Sequence, residues 1–165
     1  MGRSSRAVRA EPELAPETVE TLQAATRVLA GVALRSVDVL DRAVTLPQFR
    51  MLAVLADLGR ARSVQVARAL GLDASTVTRL ADRMVAAGHV SRGSEQGHRG
   101  VVTLELTASG QDLVRQVAAW REQELARIFH QLPPAARAQV TTALGLLVDA
   151  AGEGYGTISR GLVPV

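Results

Sequence analysis

Between residues 75 and 85 the chain alternates hydroxyl, guanidinium and apolar side chains at helical spacing. Placed at 100° per residue, Val77, Leu80, Ala81, Met84 and Val85 share one arc, while Ser75, Arg79 and Asp82 point the opposite way, flanked by Thr76 and Arg83. A short polar and basic face of this kind suits the major groove of a DNA duplex. Arginine pairs bidentately with the O6/N7 edge of guanine, and serine or threonine reaches phosphates or either base class. The backbone N–H groups of Ser75 and Thr76, at the start of that helix, are expected to be free for a phosphate. Taken alone, the same face also fits an ordinary amphipathic helix with a solvated side.

A second group lies beyond it. The run Gly93-Ser94-Glu95-Gln96-Gly97-His98-Arg99-Gly100 places three glycines in eight residues, which makes a hairpin tip. Arg99 on such a tip reaches an adjacent minor groove, whose negative potential attracts arginine. His98 beside it is a second candidate contact, although a solvated loop histidine is its plainer role. The charge distribution agrees with this placement. All 19 basic residues of the 165 are arginine, and eight of them fall between 45 and 100 against four acids, a surplus of +4 where the whole chain has +3. A basic surplus confined to one stretch suits a polyanion.

Much other chemistry is excluded. Cysteine is absent, so disulfides, thiolate metal sites and thiol redox sensing are ruled out. The three histidines, His89, His98 and His130, form no i, i+4 pair, and neither a metal nor a cofactor is expected. With no Gly-rich phosphate loop, nucleophile elbow or paired carboxylates, the chain is not expected to be an enzyme. No uninterrupted apolar stretch reaches 18 residues, and Arg3, Arg6 and Arg9 precede no apolar run, so a soluble cytoplasmic protein is the expectation.

The elements that must position these residues follow from periodicity. A first long helix is predicted over Glu17 to about Asp41, with Val19, Leu22, Leu29 and Val32 on a stripe. Thr45 caps a second, with Pro47 in its first turn and Phe49, Leu52, Leu55 and Ala56 facing inward. Ser63 opens a third that Gly71 closes, and Asp73 or Ser75 caps a fourth that ends at Gly88. Two helices joined by a short Gly-containing turn form a helix-turn-helix. His89–Arg92 and Val101–Leu106 then read as two strands, the second with Val102, Leu104 and Leu106 on one side and Thr103 and Glu105 on the other. A fifth helix runs from Ser109-Gly110 to about Leu132, and after Pro133-Pro134 a sixth carries Val140, Leu144, Leu147, Val148 and Ala151 on one face. The fold expected is mainly α (α+β): a winged helix-turn-helix lobe (45–109) with a two-stranded wing, plus an all-helical dimerisation layer (17–44 and 110–152). A mobile arm (1–16) and a mobile tail (153–165) flank them.

In this order the residues resemble the MarR family of bacterial transcriptional regulators. The resemblance spans about 17–152 and rests on Thr45-Leu46-Pro47-Gln48-Phe49-Arg50-Met51-Leu52, on Ser75 through Met84, on Gly88-His89-Val90-Ser91-Arg92, and on Arg99 ahead of Leu106-Thr107-Ala108-Ser109-Gly110. It implies an obligate homodimer with interlocked N- and C-terminal helices and two lobes that bind a near-palindrome. Ser75, Thr76, Thr78 and Arg79 would face the groove, and Arg99 would be the wing arginine. Gly97 stands where the family often has Asp, and the stretch from Arg99 to Leu106-Thr107 is one residue longer than usual, which points to a bulge. The resemblance also implies a small aromatic effector between the dimer layer and the lobes, for which Arg35, Phe49, Trp120 and His130 are candidates as bulky or polar residues near that junction, although packing is the plainer role of each.

A dimer follows from physics as well. The first, fifth and sixth helices are too long for a small lobe to cover, since 22 residues span about 33 Å. Two-fold symmetry would set the paired helices on successive major grooves about 34 Å apart, on an inverted repeat. The function expected is that of a homodimeric, sequence-specific DNA-binding regulator, a repressor released by a small ligand. The alternative is a winged-helix protein-interaction module, because the fold alone does not fix DNA binding.

Overall fold

The computed structural model describes residues 14–40, 44–95 and 98–159, and the side chains of residues 95, 98–100 and 153–159 are outside that description. The expected arm at 1–16 therefore falls almost wholly outside the described residues, as do 41–43, the tip at Gln96-Gly97, and 160–165. The chain divides after Gly31 into two units. The described residues of the first belong mainly to α1 (Pro16–Arg35), whose Leu22, Val28 and Leu29 are exposed.

The second unit begins with the end of α1, which stops at Arg35 and not near Asp41. A turn at Ser36-Val37 and a 3-10 turn at Asp38–Leu40 follow. The reason is tertiary. Ser36 and Val37 are drawn inward, Ser36 fully buried, with its hydroxyl accepting from Arg121 Nη2 at 2.9 Å.

Helix α2 (Leu46–Leu58) is the centre of the core. Thr45 caps it, Pro47 occupies its first turn, and Gln48 Oε1 reaches back to the Thr45 N–H at 2.6 Å. Met51, Ala53 and Val54 are buried along with the expected Phe49, Leu52 and Leu55, whereas Ala56 is exposed. A helix covered almost all round is a core helix, contacted by α3, α4, α5 and the sheet.

Helices α3 (Ser63–Leu70) and α4 (Ala74–Ala86) form the helix-turn-helix. Gly71 adopts φ +66°, a left-handed conformation that only glycine takes cheaply, and the turn closes by Gly71 N–H to Arg68 O and Leu72 N–H to Ala67 O. The buried side of α4 is Val77, Leu80, Ala81 and Met84, as the periodicity predicts, while Val85 is 37% exposed.

The wing is β2 (Val90–Glu95) paired antiparallel with β3 (His98–Leu106). Both strands run further toward the tip than periodicity suggests. A third strand, β1 (Ala61–Arg62), adds to the other edge of β3, giving the order β1-β3-β2. Pairing is regular from Val90↔Leu106 to Ser94↔Val102, then jumps to Glu95↔His98, so the expected irregularity in β3 lies between His98 and Val102. Thr103, on the side of β3 that it shares with Glu105, is buried: Arg60 lies over it and donates to its hydroxyl.

Helix α5 (Ala108–Phe129) starts at the Thr107 cap. Helix α6 (Pro134–Ser159) follows the Pro133-Pro134 break and is interrupted at Gly152 (φ +63°), beyond which the backbone is again helical to Ser159. Among the described residues no helix is long and apolar enough to cross a membrane.

Candidate nucleic-acid interface

Helix α4 presents its expected outer face. Ser75, Thr78, Arg79, Asp82 and Arg83 are exposed and Thr76 is half-buried. Of the two caps the sequence offers for this helix one is used, and it engages a backbone N–H that was expected to be free. Asp73, not Ser75, is the N-cap: its Oδ1 accepts the Thr76 backbone N–H at 2.8 Å and the Ser75 hydroxyl at 2.5 Å, and its Oδ2 accepts the Thr76 hydroxyl at 2.8 Å. The Thr76 N–H is thus not free for phosphate, and a carboxylate already occupies the favourable end of the helix dipole.

These bonds hold the Asp73 carboxyl far below the usual carboxylate range, the Ser75 hydroxyl first among the causes, then the N–H and hydroxyl of Thr76. Because the folded-state value lies below the unfolded one, the cap is intact at neutral pH. Its contribution to stability declines only as pH falls below the ordinary Asp value of about 3.9, and is gone once pH has passed below the lower folded-state value.

Further along, the Thr78 hydroxyl turns back to the Ala74 carbonyl at 2.9 Å, and Arg79 Nη2 donates to the Thr76 hydroxyl at 3.2 Å. Asp82 forms an ion pair with Arg92 of β2 at 2.8 Å, tying α4 to the base of the wing. Backbone pairing places His98 and Arg99 at the start of β3, past the regular register; their side chains are outside the described residues.

Several arginines of the basic stretch do structural work that composition does not reveal. Arg60 donates from Nη2 to the Ser94 carbonyl at 2.8 Å and from Nε to Thr103 Oγ1 at 3.2 Å, gripping the last regular rung of the wing. A Cβ on Gly93, which pairs with Thr103 one rung before, would stand 3.0 Å from both that guanidinium and the Thr103 hydroxyl. Arg50 Nη2 reaches the Leu70 carbonyl at the end of α3 at 3.4 Å. Asp73, Arg60 and the Arg92–Asp82 pair were not singled out as a site by sequence; the one available signal was Asp73 as a candidate cap.

Of the four effector candidates, Phe49 is wholly buried in the core, which is its plainer packing role. Arg35 lines a cleft of about 750 Å³ with Val37, Asp38, Val44 and Leu46, and lies 3.6 Å from Glu124. Trp120 is half-buried and His130 exposed, and neither lines that cleft. Glu124 also pairs with Arg127 at 2.8 Å, whose hydrogen bond is the main cause holding the Glu124 carboxyl below its usual value. Among the described residues no group of His, Asp and Glu is placed to hold a metal ion.

A helix-turn-helix whose second helix exposes hydroxyls and arginines, followed by a two-stranded wing in a three-stranded sheet, defines a winged helix-turn-helix protein. The sequence profile of the MarR family matches residues 44–100. The crystal structure of RV1404 from Mycobacterium tuberculosis is similar at 34% identity and a TM-score of 0.77, over 87% of this chain and 99% of that one. A MarR family protein from Bacillus stearothermophilus is 26% identical with a TM-score of 0.68, over 82% and 96% of the two chains. A MepR mutant from S. aureus, solved bound to an oligodeoxyribonucleotide, shares the fold at 18% identity and a TM-score of 0.65, over 84% and 99%. No curated protein matches. The chain belongs to the MarR family of transcriptional regulators.

Proposed function

We propose that the protein is a homodimeric repressor that reads an inverted-repeat operator with α4 in the major groove and the wing in the flanking minor groove. The observation that carries this reading is the outer face of α4, which leaves Ser75, Thr78, Arg79 and Arg83 exposed on an element otherwise anchored in the core. The oligonucleotide bound to the MepR mutant of the same fold supports it. In this reading Arg79 pairs with a guanine edge, Ser75, Thr78 and Arg83 make neighbouring contacts, and Arg99 with His98 serves the wing.

The dimer is supported by α6. Residues 141–152 are exposed throughout, and Leu144, Leu146, Leu147 and Val148 lie on more than one side of the helix. A helix apolar round most of its girth needs covering on most of it, and a second copy supplies that through its own α1 and α6. A small aromatic acid is assigned to the cleft at Arg35, where it would act by favouring one spacing of the two lobes over the other.

Gel-shift titration at moderate salt tests the reading: the duplex upstream of the protein's own gene should bind far more tightly than random duplex. Equal affinity for both would favour the protein-interaction alternative. Arg79→Ala should relax preference at one position per half-site by about 1–3 kcal/mol. Arg99→Ala should weaken binding to every sequence and lower the salt slope by about one. Indistinguishable effects from the two variants would contradict these roles.

A further inference from the structure

The start of α4 carries a chain of hydrogen bonds that ends on the proposed base-reading arginine. The Thr76 hydroxyl donates to Asp73 Oδ2 at 2.8 Å and accepts from Arg79 Nη2 at 3.2 Å. The direction of the chain is fixed by chemistry. An ionised carboxylate only accepts and a guanidinium only donates, so the hydroxyl proton points to Asp73 and a lone pair to Arg79. Asp73 is itself held by the Thr76 backbone N–H and the Ser75 hydroxyl, so the anchor is rigid.

Two consequences follow. The donor proton of Thr76 is committed within the protein and is not on offer to a base or phosphate. The Arg79 side chain, exposed and otherwise free to sample many rotamers, is ordered before it meets DNA, which reduces the entropy lost on binding. The carboxylate reaches it only through the hydroxyl, so its charge is not cancelled by direct pairing and its remaining N–H groups stay available for a base edge.

Resting on the DNA-reading role given above, we propose that Thr76 is a positioning residue and not a groove contact: with Asp73 it holds the Arg79 guanidinium in the orientation that discriminates guanine at one position of each half-site. This separates two functions that one helix face merges on a wheel. Arg79 touches the base, and the Asp73-Thr76 pair sets its aim.

The test uses the full chain and a duplex enriched by the wild-type protein from a random-sequence library, together with its single-base variants. Thr76→Val removes the hydroxyl but keeps the shape and the backbone N–H that Asp73 caps; Thr76→Ser restores the hydroxyl. Discrimination at the position relaxed by Arg79→Ala should fall roughly fivefold in Thr76→Val and recover in Thr76→Ser, with the salt slope unchanged in both. In the free protein, ¹⁵N relaxation of Arg79 Nε should report a restrained guanidinium in wild type and Thr76→Ser and a mobile one in Thr76→Val. A loss of helix capping alone would lower thermal stability without this pattern. If Arg79→Ala relaxes discrimination while Thr76→Val discriminates like wild type, or Thr76→Ser behaves like Thr76→Val, or Arg79 Nε is mobile in wild type, the positioning role is overturned and the DNA-reading role stands. If the library yields no preferred sequence, both fall together.

Discussion

Leu147→Glu is expected to abolish the proposed dimer and, with it, high-affinity operator binding. Leu147 is 52% exposed on α6, with Leu144 one turn before it and Val148 beside it, and the helix carries Asp149 as its only charge between 138 and 152. If a second copy covers this face, a carboxylate placed there is desolvated without a partner, a cost of several kcal/mol. Binding two half-sites at once multiplies affinity by roughly 10²–10⁴ over one lobe alone, and a monomer forfeits that factor. Sedimentation at micromolar concentration should show two copies for wild type and one for the variant, and the wild-type melting temperature should rise with protein concentration. A variant that sediments as a dimer and binds its operator normally would remove α6 from the interface.

How much of this could be read from sequence depends on how local each signal is. The α3-turn-α4 unit was fully legible, because its determinants are short-range: the apolar spacing, Gly71 in the turn and Asp73 at the cap all lie within the elements they define. The outer face of α4 was legible for the same reason. What escaped came from distant parts of the chain. Strand β1 has two residues, too few for any alternation, and exists because β3 offers it an edge. Thr103 is buried because Arg60, 43 residues earlier, covers it. Asp82 lies on the wheel with the groove-facing residues, yet Arg92 claims it. Arg60 and Arg92 counted toward a basic surplus suited to a polyanion, although both are engaged in holding the wing. Charge summed over a stretch cannot separate arginines that meet a partner from arginines that meet their own fold.

The run Leu106-Thr107-Ala108-Ser109-Gly110 was legible only as a resemblance, and the structure supplies its physical content. Thr107 caps α5 by accepting the Gly110 N–H at 3.2 Å, its hydroxyl donates to the Gly88 carbonyl at 2.7 Å, and its backbone N–H donates to the His89 carbonyl at 3.1 Å. Gly110 is therefore pressed against the segment that leads from α4 into the wing. A Cβ there would stand 2.1 Å from the His89 carbonyl oxygen and 3.1 Å from its carbon. Backbone on one side and a capped helix on the other leave no flexible group to yield, so the segments themselves must part. In an open helix position Gly→Ala would stabilise by about 1 kcal/mol. At Gly110 the overlap outweighs that gain, and Gly110→Ala is expected to cost roughly 2–4 kcal/mol, lowering the melting temperature by about 5–15 °C. The damage should reach function, because the displaced contact seats the start of α5 on Gly88-His89, the link between α4 and β2, and so bears on the angle between recognition helix and wing. At temperatures where the variant remains folded, operator affinity should still fall, and it should fall through the wing: the salt slope should drop while base preference at the Arg79 position persists. A Gly110→Ala protein as stable as wild type, or one that loses base preference and keeps its salt slope, would show that this junction does not govern the geometry of the interface.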